Sequence, residues 1–153
     1  MPVTIYDGRA YLYGTDSQYD IIMVDAYQDI TIPFQMSSQE FFTLVKKHLK
    51  PGGAMVVNMN MQTKEAGNIN DYLQDTIASV FSQVYTIDVP NTSNRELFAT
   101  NDAQAYGQLS STLTAVTNPA LRTFLQHAAP QLRAYTGEQR ILTDDKAPVE
   151  LFH

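Results

Sequence analysis

With 153 residues, the chain is long enough for one domain with a sizeable core. It has no cysteine, which excludes disulfides, thiol catalysis and thiolate-bound zinc. A formal charge of −6 argues against a nucleic-acid partner, which needs clustered Lys and Arg, and favours small cations instead. No segment reaches the ~18 apolar residues of a membrane span, and Met1 to Tyr6 holds neither a basic stretch nor a long apolar run. A membrane role is therefore not expected, and the default location is cytoplasmic.

Val3-Thr4-Ile5-Tyr6 reads as a short strand stopped by Asp7-Gly8. Arg9 to Tyr13 forms a short helix closed at Gly14. In Asp20-Ile21-Ile22-Met23-Val24-Asp25, four consecutive apolar residues between aspartates predict a strand buried on both faces. A loop containing Pro33 follows. Ser37 and Glu40 have capping-box spacing, and Phe41, Phe42, Val45 and Leu49 share a face, so a helix is expected over 38–49. Lys46, Lys47, His48 and Lys50 crowd its last turn, where positive charge suits the helix dipole. Pro51-Gly52-Gly53 ends that helix and turns the chain into a second buried strand, Ala54 to Met59.

Asn68 or Asn70 caps a helix over 69–82, striped by Ile69, Leu73, Ile77, Val80 and Phe81. Val84 to Val89 and Glu96 to Thr100 read as strands, and the short turn between them suggests an antiparallel hairpin at a sheet edge. The remainder is helical, with one stripe of Tyr106, Leu109, Leu113 and Val116. A second stripe, Leu121, Phe124, Leu125 and Ala128, follows the Asn118-Pro119 cap. The tail from Ile141 to Glu150 is too irregular to assign. Strands alternating with helices predict an α/β fold with a mainly parallel sheet, in a single domain spanning 1–153.

In such sheets ligands bind beyond the carboxyl ends of the strands, which is where Asp25 falls. None of the glycines forms the Gly-rich turn of a nucleotide-binding strand–turn–helix, so the chain reads as the second half of an enzyme without its first. Each candidate has a structural alternative. Asp25 is either a reactive carboxylate or a loop acid satisfied by nearby backbone N–H groups. Asp7 is either an acceptor for a ligand amine or a helix cap, and Tyr27 either stacks on a ligand or forms a half-buried wall. Asp144 and Asp145 read as a solvated turn rather than a metal site. His48, His127 and His153 lack ligand spacing, and His48 reads as a cation facing the helix dipole or a neutral surface residue. No metal is expected.

Five segments in order carry a family resemblance: Asp7-Gly8-Arg9-Ala10-Tyr11-Leu12, Tyr19 to Tyr27, Ile32-Pro33-Phe34, Glu40-Phe41-Phe42 and Leu49-Lys50-Pro51-Gly52-Gly53. The tail Leu142-Thr143-Asp144-Asp145-Lys146-Ala147-Pro148-Val149-Glu150 adds a sixth. The chain resembles the later part of the catalytic domain of the spermidine synthase-like family. That resemblance implies the Rossmann-type fold of S-adenosylmethionine-dependent methyltransferases, here partial, without its first strands and glycine-rich loop. It implies aminopropyl transfer to a polyamine, with decarboxylated S-adenosylmethionine, or S-adenosylmethionine in a methyltransferase-like alternative, as co-substrate and with no tightly bound cofactor. By the same resemblance Asp7 and Gly8 lie near the adenine, and Asp25 takes the proton of the attacking amine. The family's second aspartate falls on Gln28 here, with Asp29 one place later as the second catalytic candidate. The third reading is a non-catalytic remnant serving as an interaction module. Loss of the first strands exposes a central apolar strand edge, so a homodimer is expected.

Overall fold

The computed structural model describes residues 6–26, 32–61, 68–137 and 139–145. The predicted strand at 3–6 lies outside the described residues except for Tyr6, an exposed bend. The first helix, α1 (Gly8–Tyr13), is capped by Asp7, whose Oδ1 accepts the Ala10 N–H at 2.8 Å, and it closes at Gly14. Both ends are as the local sequence dictates.

β1 (Tyr19–Val24) runs parallel to β2 (Leu49–Asn60). Between them α2 (Gln39–Lys47) is capped by Ser38, whose Oγ accepts the Phe41 N–H at 3.2 Å. The cap thus falls one residue later than expected, and with Phe41 at N3 it is not a capping box. Ser37 Oγ instead donates to Phe34 O, and Glu40 accepts the Asp144 N–H. α2 also ends earlier than expected, at the buried cap residue His48, whose Nδ1 lies 2.8 Å from Ser17 O. Pro51-Gly52-Gly53 is not a turn before the strand but an irregularity within it. The β1 register jumps there from Tyr19↔Leu49 to Ile21↔Ala54. Gly52 has φ +77°, and a side chain on Gly53 would meet Lys50 O at 2.9 Å and Asp20 O at 3.0 Å, so neither position accepts a Cβ without strain.

α3 (Ile69–Val80), capped by Asn68, leads to β3 (Gln83–Asp88) and β4 (Asn94–Thr100), the expected antiparallel hairpin. Its turn places Asn91 at φ 62°, a conformation asparagine tolerates. β4 does not lie at an edge: it inserts between β2 and β3, antiparallel to both, in the order β1-β2-β4-β3-β5, with β5 being Arg133–Ala134. β1, β2 and β3 therefore run the same way, as expected for this α/β class, while most neighbouring pairs are antiparallel.

One sheet face is closed. Phe41, Phe42 and Val45 of α2 and Leu73 and Ile77 of α3 bury against Met55, Val57, Met59, Leu97 and Ala99. Phe41 and Phe42 meet edge to face at 5.4 Å. The other face is largely open. β1 is not buried on both sides as its apolar run suggested: Ile21 is 62% and Met23 71% exposed, while only Val24 of the strand is buried. An apolar run requires cover from neighbours, and on this side none of the described elements supplies it.

α4 (Ala105–Ala115) reaches the open face through Tyr106, stacked on Tyr85 at 4.9 Å. α5 (Pro119–Ala128) follows with its Asn118 cap, but its stripe does not enter the core, and Phe124 is 66% exposed. The tail is more ordered than its sequence suggested. Leu142 is buried, with its N–H on Thr76 Oγ1 and its carbonyl on the Gln39 N–H. Arg140 Nε and Tyr135 Oη both donate to the fully buried Asp75, at 2.8 and 2.5 Å. Burial first, and that hydrogen bond second, hold the Tyr135 hydroxyl well above the usual tyrosine range.

Candidate active site

β1 ends at Val24 opposite Val57, while β2 runs on to Asn60, so Asp25 at the carboxyl end of β1 stands beside Asn58. Asp25 is exposed there, and its Oδ1 accepts a hydrogen bond from Asn58 Nδ2 at 3.2 Å. On the other side of Asn58, in register across the β2–β4 pair, stands the half-buried Glu96. Burial first, then the charge of Asp25, raise the Glu96 carboxyl above its ordinary value. A row Asp25–Asn58–Glu96 therefore crosses three strands on the open face. Asn58 Oδ1, in the middle, is buried and receives no hydrogen bond among the described residues.

Neither Asn58 nor Glu96 was identified from the sequence. A signal existed for Asn58, an amide breaking the apolar run from Ala54 to Met59 at its carboxyl end. For Glu96 there was none, since an acid opening a strand reads as a solvated end.

The remaining candidates separate. Asp7 is occupied through Oδ1 with the α1 cap; the cap reading holds, and Oδ2 receives no hydrogen bond among the described residues. Gly8 lines an apolar groove of about 330 Å³ between α1 and β1, together with Leu12, Ile21 and Met23. Neither Asp7 nor Asp25 lines it. Tyr27 and Asp29 lie outside the described residues, as does Gln28. Asp144 lies in an exposed turn, as expected, but is tied down there: it takes a bidentate pair from Arg9 at 2.8 and 2.5 Å and a 2.6 Å bond from Ser38 Oγ. The Arg9 guanidinium holds the Asp144 carboxyl below its ordinary range. Among the described residues no group of three His, Cys, Asp or Glu is placed to hold a metal. Nor is any of their helices long and apolar enough to cross a membrane.

Solved structures place this fold among methyltransferase-like and spermidine synthase folds. Human methyltransferase-like protein 13 in complex with SAH superimposes with a TM-score of 0.64 at 23% identity, covering 91% of this chain and 64% of that one. A probable spermidine synthase from Corynebacterium glutamicum gives 0.56 at 20% identity, covering 89% and 55%.

The sequence narrows the class. Residues 1–103 match the spermine/spermidine synthase domain, and the chain belongs to that family. It is 49% identical over 168 aligned positions to a probable polyamine aminopropyl transferase of Bifidobacterium longum, covering 99% of this chain and 38% of that protein. It is 29% identical to a polyamine aminopropyltransferase of Vibrio vulnificus, covering 96% and 50%. The chain thus spans half or less of the length of these curated relatives.

Proposed function

We propose that this chain carries the amine-side part of an aminopropyl-transfer centre acting on a polyamine, with decarboxylated S-adenosylmethionine as co-substrate. The observation that carries the reading is Asp25 at the carboxyl end of β1, oriented by Asn58, in a chain of this family. In the reaction the amine nitrogen attacks the propyl carbon bonded to the sulfonium. A C–N bond forms as the C–S bond breaks, the electron pair goes to sulfur, and methylthioadenosine leaves. The nitrogen then carries one proton too many, and in this reading Asp25 accepts it. Asp29 joins Asp25 in this reading and Tyr27 forms a wall beside the ligand. Asp7, through its remaining oxygen, and Gly8 belong to the nucleoside side.

Replacing Asp25 with Asn in the protein that contains this chain is expected to lower aminopropyl transfer by about 10²–10⁴-fold, the range for a general base. Quantifying the polyamine product tests this, and an unchanged rate overturns it. The sequence holds no glycine-rich cradle, so calorimetry of the 153-residue chain with methylthioadenosine should show weak or no binding.

The same reading places the protein in the cytoplasm and pairs it as a homodimer. Ile21 and Met23 on the outer strand, beside the apolar groove, support the pairing, since burying each is worth about 1.5–3 kcal/mol. Sedimentation at micromolar concentration separates dimer from monomer.

A further inference from the structure

Resting on the amine-site reading above, we propose that Glu96 is a specificity-determining residue that holds the distal ammonium of a short α,ω-diamine whose reacting amine faces Asp25. The register places the two carboxylates in one row on one face, with Asn58 between them. Strands about 4.8 Å apart put Asp25 and Glu96 two strand widths, about 10 Å, apart at the backbone. A short diamine with one hydrogen bond at each end has that reach.

Two further features fit this occupant. Neither carboxylate has an Arg or Lys partner among the described residues. The nearby cation, Arg95, is committed to Asp88 at 2.6 Å and to Gln74. Beyond Glu96 the row ends on apolar Ile87, and the parallel row one side-chain layer back is Met23, Val56, Phe98 and Tyr85. Acid ends over an apolar floor suit a linear chain of methylenes between two ammonium groups. The raised Glu96 carboxyl is the electrostatic counterpart of two acids facing each other without a cation.

The test is an NMR shift titration of the 153-residue chain with 1,4-diaminobutane and with 1-aminobutane. The wild-type chain should prefer the diamine, with shifts at Asn58 and Glu96. Glu96→Gln should weaken diamine binding about tenfold and leave the monoamine nearly unchanged, so that the preference collapses, while Glu96→Asp restores part of it. Asp16→Asn removes an equal charge from an exposed residue and should change neither. A Glu96→Gln chain that keeps the preference, a wild-type chain without one, or an equal loss in Asp16→Asn overturns the proposal. Diamine preference that depends on Glu96, without aminopropyl transfer by the parent protein, removes the enzymatic reading and keeps the amine site. Transfer that depends on Asp25 but is indifferent to Glu96 does the reverse.

Discussion

The two faces of the sheet obey different rules. The face under α2 and α3 is closed by large apolar side chains, with Phe42, Val45, Met55, Val57, Met59 and Ile77 all shielded from solvent. The opposite face carries Ile21 and Met23 exposed, an aromatic stack only at its far side, and the polar row at its carboxyl end. Stability therefore comes mostly from the first face, while the proposed amine site and dimer contact lie on the second.

Substitutions can break or sharpen this contrast. The largest effect is expected on the closed face. Phe42→Ala should cost about 3–5 kcal/mol in denaturant unfolding, because the cavity it leaves is walled by β2 and α3. A loss below about 1 kcal/mol would mean that the two faces are not so unequal. Met23→Lys on the open face should change monomer stability by only about 0.5 kcal/mol, since the side chain already lies in water. It should nevertheless abolish the proposed dimer in sedimentation, and a dimer that survives moves the interface elsewhere.

The smallest effect belongs to Glu96, and its sign is informative. The folded-state carboxyl is raised, so ionising it costs stability: the cost is absent below the unfolded-state value and fully present once pH exceeds the folded-state value. Glu96→Gln should therefore raise the melting temperature slightly at neutral pH, by about 2 °C, and leave it unchanged in acid. Equal stability at both pH values would show that Glu96 is solvated and faces no other carboxylate.

Local patterns foretold the layered α/β fold well. The Asp7 and Asn118 caps, the stripes of α2 and α3 and the β3–β4 hairpin depend on neighbours within a few residues, so the chain states them directly. The placement of Asp25 after an apolar strand was equally legible. Three things were not. An apolar run requires burial but does not say whether a neighbour will provide it, and Ile21 and Met23 show that here none of the described elements does.

The tail looked irregular because its order lies in single long-range bonds. Asp144 to Arg9 and Arg140 to Asp75 have no periodicity to read. The row Asp25–Asn58–Glu96 joins residues far apart in sequence through strand register alone. The sequence by itself determined most of the helices and strands, the family and the position of the carboxylate proposed to react, because caps, periodicity and motifs are short-range. Only the tertiary structure decided which face stays open and which second carboxylate looks across at the first, because β4 must insert between β2 and β3 before Glu96 meets Asn58.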